Sequence, residues 1–256
     1  MTTRVFAVLV PLIVLTLASA PASLAQAPAV PPSLLRCSPL LQGVAANSAG
    51  MSEAAMAEGA TAGKPGEPAP PDSTPKKEFP RLTPKLVDRL RGGGYVIVFR
   101  HSITDWGQRD AEVTNFEDRT TQRNLSKAGE EQATQIGKDI ASLKIPIGDV
   151  KASPMWRCRD TAQLAFGKHE STIDLFQRGG PSRAARVSML STKPASGNLV
   201  LVTHQDVLIP IITGLHRDQL KEGDAFVVKP LGEKKFEIEA QVSPEDWLKL
   251  GVVSAK

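Results

Sequence analysis

The chain has 256 residues, of which 41% are hydrophobic and 23% charged, with a formal net charge of +4. That is enough for one ordinary domain plus extensions, and the balance is that of a soluble globular protein. The basic residues are dispersed, with no run longer than Lys76-Lys77 or Lys234-Lys235, and tyrosine occurs once. This argues against nucleic acid as a partner and permits a small anionic substrate.

Arg4 precedes the apolar stretch "VFAVLVPLIVLTLASA", and small residues follow in "PASLAQAPAV". A positive start, an apolar core and a small-residue exit predict a signal peptide over residues 1–27, hence a periplasmic or secreted protein with no stable membrane span after cleavage. Cleavage would follow Ala25 or Ala27, and a retained membrane anchor is the alternative. Residues 28–78 are rich in Ala, Pro, Gly and Ser and hold too few large apolar side chains to offset the entropy of ordering, so they read as a flexible tether. The cysteines are Cys37 in that tether and Cys158 in a predicted helix. Their pairing stays open, and Cys158 reads as a buried inert thiol. Two cysteines and four scattered histidines show no metal-ligand spacing, and no cofactor is implied.

The folded domain is predicted over residues 79–250. "LTPKLVDRLRGGG" is a helix capped by Thr83, with Pro84 in its first turn and glycines at its end. Tyr95–Phe99 is a strand buried on both faces. "NLSKAGEEQATQIGKDIASLKI" is an amphipathic helix with Ser126 as N-cap and Ala133, Ile136, Ile140 and Leu143 on one face. A strand in "GDVKASP" leads to a helix in "MWRCRDTAQLAFG" that ends at Gly167. "STIDLFQ" is read as a strand, "GPSRAARVSML" as a helix, "NLVLVTH" as a core strand and "VLIPIITGL" as a helix. "DAFVVKP" and "KFEIEAQV" close the domain as strands. Alternating strands and helices predict an α/β fold, a three-layer α/β/α sandwich with a mostly parallel central sheet.

Arg100 and His101 follow the first strand, Arg157 sits in the first turn of the helix after the second, and His204 ends the "NLVLVTH" strand. In open α/β sheets ligands bind beyond the carboxyl ends of the strands, so all four point to one edge. Cations converging there suit a tetrahedral dianion with several hydrogen-bonding oxygens, namely phosphate.

"FRHSITDW", "ASPMWRCRDTA" and "LVTH" resemble the three signature segments of the histidine phosphatase superfamily, in its branch 1 or phosphoglycerate-mutase-like form. "RNLSKAGEEQA" resembles the family's helix start between the first two segments, and the likeness spans about residues 81–230. It implies that His101 is the nucleophile, forming a phosphohistidine that water hydrolyses, while Arg100, Arg157 and His204 bind the phosphoryl oxygens. The implied protein is an exported, metal-independent phosphatase acting on a small phosphorylated substrate: a phosphomonoester, phosphoanhydride or phosphoramidate. Alternatives are a catalytically silent phosphate- or phosphoglycan-binding module and a sugar-phosphate mutase. Oligomeric state is left open.

Three positions depart from the family's pattern or qualify it. Ser102 replaces the usual glycine, and Gly107 stands where many relatives carry a phosphate-contacting asparagine. The glutamate that commonly serves as general acid corresponds to Gln177, whose amide cannot protonate a leaving group. Asp206 is the first candidate to replace it, with N-capping of the following helix as its plain role; Asp105, Glu170 and Asp174 follow. Trp106 and Trp156 either wall the pocket or simply pack. Arg109, Arg119, Arg178 and Arg183 on the rim either recognise further anionic groups or face solvent.

Overall fold

The computed structural model describes residues 75–178 and 180–254. The predicted signal peptide, nearly all of the tether and Cys37 therefore lie outside the described residues. Six strands form one sheet: β1 (Val96–Arg100), β2 (Ile147–Ala152), β3 (Glu170–Ser171), β4 (Asn198–Thr203), β5 (Ala225–Gly232) and β6 (Lys235–Val242). Their order is β3-β2-β4-β1-β5-β6. The β3-β2-β4-β1 portion is parallel, and β5 and β6 add on antiparallel.

The sheet separates two apolar layers. Ile97, Phe99, Val200, Val202 and Val227 face one cluster with α1 (Pro84–Arg91), α2 (Lys127–Ser142), α3 (Trp156–Phe166) and α6 (Pro244–Ser254). Val96, Val98, Leu201, Phe226 and Val228 face a second, which contains Leu190 of α4 (Gly180–Ser191) and Leu208 of the single-turn helix α5 (Gln205–Leu208). The mostly parallel three-layer α/β/α arrangement is thus the one expected. The period-2 alternation of a strand buried on both faces explains why "VIVF" contains no polar residue. Each of its side chains is almost fully buried, and each contributes about 1.5–3 kcal/mol by leaving water.

Helix ends follow their residues. The Thr83 hydroxyl accepts the N–H of Leu86, and the Ser126 hydroxyl that of Gly129. Gly167 closes α3 in the left-handed conformation at φ 70°, which a side chain would resist.

Three expectations are corrected. "STIDLFQ" is not a strand throughout. Thr172 N–H makes a last ladder bond to Ala152 O at 2.8 Å, then its hydroxyl accepts the N–H of Asp174 and Ile173–Leu175 form a 3-10 turn. "VLIPIITGL" forms only the turn Gln205–Leu208, because Pro210 offers no N–H and clashes with the preceding turn. "KFEIEAQV" is not the last element, since α6 (Pro244–Ser254) follows β6 and buries Trp247 completely. No helix among the described residues is long and apolar enough to cross a membrane.

Candidate active site

β1 and β4 lie side by side in parallel register, with Arg100 opposite Thr203. The residues that follow are therefore neighbours: His101 N–H donates to Thr203 O at 3.0 Å, and the rings of His101 and His204 lie 5.5 Å apart. β2 flanks β4 on the other side, with Ala152 opposite Val202, so the turn through Ser153 and Pro154 launches α3 at the same edge and presents Arg157. The four residues singled out from the sequence come from three adjacent strand ends.

His101 is 3% exposed. Its Nδ1 lies 2.9 Å from Ser102 O. A carbonyl only accepts, so Nδ1 carries the proton and Nε2 keeps its lone pair. Burial, and then the charges of Arg157 and Arg100, hold the His101 pKa well below the ordinary histidine value. His204 is depressed in the same way, first by burial and then by Arg157 and His101, and its Nε2 is 2.8 Å from Ser153 Oγ. Two neutral imidazoles side by side follow from this setting.

Arg100 is held by Gln205 Oε1 at 2.9 Å, Leu220 O at 2.7 Å and Glu222 Oε1 at 3.5 Å. Glu222 also accepts from the N–H and hydroxyl of Thr104, so one carboxylate steadies both the arginine and the loop after His101. Arg157 Nη1 donates to Asp110 Oδ1 at 2.9 Å and to Arg123 O at 3.3 Å. The Nε atoms of Arg100 and Arg157 are buried and have no hydrogen-bond partner. Guanidinium groups converging at one strand edge suit a phosphoryl dianion.

The α2 start supports this loop from behind. Ser126 N–H donates to Ile103 O at 3.0 Å, and a Cβ on Gly129 would lie 1.8 Å from that same oxygen. Only glycine lets the helix approach so closely, which accounts for the glycine in "RNLSKAGEEQA".

A pocket of about 520 Å³ opens beside the site, lined in part by Arg157, His204, Gln177, Asp206 and Asp110. Its apolar wall is Ala111, Val113, Met155 and Phe176. Asp206 does line the pocket, and Arg178 Nε donates to its Oδ2 at 2.7 Å. The other candidate acids are not among the lining residues. Asp105 binds Gly107 N–H and Gln108 Nε2 in an exposed turn, Glu170 pairs with Lys151, and Asp174 belongs to the 3-10 turn. Gln177 also lines the pocket.

The path from Asp174 to Arg178 is organised by Arg186, which is 1% exposed and donates to the carbonyls of Asp174, Gln177 and Arg178. Trp156 is clamped between the guanidinium groups of Arg119 and Arg159, each 3.7 Å from its ring, and does not line the pocket. Trp106 is 68% exposed beneath Arg123 at 4.0 Å. Of the rim arginines, Arg119 pairs with Asp160, Arg178 with Asp206, and Arg183 donates to Pro210 O, while Arg109 lines a separate groove with Gln108 and Asn124. Cys158 is a buried free thiol 3.6 Å from His204 Nε2, pushed up to about 12 chiefly by burial.

Asp110, Arg123, Phe176 and Glu222 were not singled out from the sequence. They sit in irregular segments with no periodicity, and their partners are distant along the chain.

Solved structures with a similar course include the protein histidine phosphatase SixA complexed with tungstate, at 16% identity over 59% of this chain and 98% of that one, with a TM-score of 0.44. Another is phosphoserine phosphatase from Entamoeba histolytica in complex with 3-phosphoglyceric acid, at 17% identity, 60% and 98% coverage and a TM-score of 0.41. No curated protein matches the chain. Residues 96–178, which carry Arg100, His101 and Arg157, match the family model of the histidine phosphatase superfamily, branch 1.

Proposed function

We propose that the protein is a phosphatase that hydrolyses a small phosphorylated substrate through a phosphohistidine on His101. The observation that carries this reading is the His101 ring, its Nδ1 2.9 Å from Ser102 O, set beside the His204 ring and near the charges of Arg157 and Arg100. Nε2 attacks phosphorus in line, the N–P bond forms as the bond to the leaving oxygen breaks, and the leaving group takes a proton. Arg100, Arg157 and His204 hold the equatorial oxygens, where the charge of the transition state lies, so guanidinium groups do the neutralising without a metal. Water then attacks the phosphohistidine and restores the enzyme. Asp206 and Asp110 are the carboxylates on the pocket wall from which the proton donor is drawn. The protein is read as exported, on the strength of the Arg4-led apolar N-terminus, and the phosphate source as a monoester, anhydride or phosphoramidate outside the cytoplasm.

Incubation with an aryl phosphate, with acid-quench trapping of the phosphoenzyme, tests this. His101→Ala is expected to lose both turnover and the trapped species. Equal turnover by the two proteins overturns the reading. Gln177 in place of a glutamate favours a second reading, a phosphate-binding module with little catalysis; tight phosphate binding with no phosphoenzyme from any substrate would support it.

A further inference from the structure

The leaving group needs a proton, and the pocket offers two carboxylates to supply it. They are not equivalent. Asp206 is paired through Oδ2 with Arg178, and binding a phosphoryl group at Arg100, Arg157 and His204 asks nothing of Arg178. Asp110 is paired with Arg157 itself. Its Oδ1 takes Arg157 Nη1 at 2.9 Å and the backbone N–H of Arg123 at 2.9 Å, while no hydrogen bond from the described residues falls on Oδ2. Asp110 also adjoins Ala111 and Val113, which form part of the apolar wall where an organic leaving group fits.

On the reading of the site as a phosphatase, we infer that Asp110, rather than Asp206, is the general acid. The shared guanidinium supplies the physical coupling. In the unliganded site Asp110 and Arg123 O hold the Nη1 corner of Arg157. A dianion bound there competes with the carboxylate for the same positive charge. Loss of a cationic partner and gain of a negative neighbour are the conditions under which a carboxyl retains its proton. In the proposed step Oδ2, the oxygen engaged by neither Arg157 nor Arg123, delivers the proton to the leaving oxygen. As the N–P bond forms and the P–O bond breaks, that proton passes to the leaving oxygen, giving an alcohol and the Asp110 carboxylate. In the second step the carboxylate takes a proton from the water that attacks phosphohistidine, releasing inorganic phosphate and restoring the acid.

The full chain is assayed on an alkyl phosphate, whose leaving oxygen requires protonation, and on p-nitrophenyl phosphate, whose leaving group departs as an anion. Asp110→Asn is expected to lose about 10²–10⁴-fold in kcat on the alkyl substrate and a factor about ten or more times smaller on the aryl one. Asp206→Asn is expected to lose the same factor on both. Formate added to Asp110→Ala is expected to restore turnover of the alkyl substrate selectively, which a misfolded variant could not show. Equal losses on both substrates for Asp110→Asn, or the leaving-group-dependent loss appearing in Asp206→Asn, overturns the inference. A wild-type chain that cleaves neither substrate and traps no phosphoenzyme instead overturns the phosphatase reading.

Discussion

Thr161 Oγ1 accepts the N–H of Ser102 at 3.0 Å while donating to Arg157 O at 2.7 Å. One hydroxyl thereby links the loop that carries His101 to the helix that carries Arg157, two segments far apart in sequence. Thr161→Val keeps the shape and removes both bonds, leaving a buried N–H without an acceptor, which costs about 1–3 kcal/mol. A lower midpoint in urea denaturation and a reduced kcat on aryl phosphate are expected, and Thr161→Ser should recover most of both. A Val variant as stable and active as the parent would show that the link is dispensable.

The contact of Gly129 with Ile103 O makes a second prediction. Gly129→Ala has no room for its methyl group, so α2 must move off the loop behind His101. Such overpacking costs about 1–3 kcal/mol or more and should lower activity as well as stability. Gly167→Ala is the contrast. Its Cβ meets nothing within 4 Å, and only the left-handed backbone at φ 70° resists it. A cost of about 1–2 kcal/mol with kcat retained is expected there. Calorimetry with turnover assays on both variants distinguishes the two outcomes.

The buried histidines make stability depend on pH. In the unfolded chain His101 and His204 protonate near 6.5, whereas in the folded chain both stay neutral to well below that. Between those values the unfolded state binds more protons. Stability is therefore lost as pH falls below 6.5, by about 1.4 kcal/mol per pH unit for each histidine, and neither group contributes above it. Urea titrations across this range should show a shallower dependence for His204→Asn than for the parent. Identical slopes would mean that His204 is not buried in its neutral form.

Cys158 is expected to be unreactive. Burial and a pKa near 12 leave almost no thiolate at neutral pH. In a Cys37→Ser chain, a thiol reagent should label nothing until denaturant is added, and prompt labelling of the native protein would contradict the burial of this side chain.

Legibility of the fold differed by element. Helices with caps at both ends and strands of unbroken β-branched residues were readable because their signals are local. So was the convergence of Arg100, His101, Arg157 and His204, because strand ends of a parallel sheet share an edge. Helix α6 was passed over although its start carries a local signature: the Asp246 carboxylate reaches back to the Ser243 N–H at 2.9 Å, with Pro244 in the first turn. In α5 the break is equally local: Pro210 stops after one turn the helix that the apolar run alone suggests. Asp110 was a different case. It lies in an irregular loop, and its partner Arg157 is 47 residues further on. Nothing local distinguishes it from Asp105, whose carboxylate merely closes a turn. Pairings of that kind are fixed only when the sheet brings distant segments together.

The buried Arg186 has a consequence for how this protein can change. It grips main-chain carbonyls, so the course of 174–178 does not depend on which side chains that stretch carries. Phe176, Gln177 and Arg178, which line the pocket, hang from a fixed rail. Selectivity can then be rewritten at those three positions without disturbing His101, which follows β1 at the same edge of the sheet. A library confined to them should yield altered substrate preference with an unaltered phosphoenzyme.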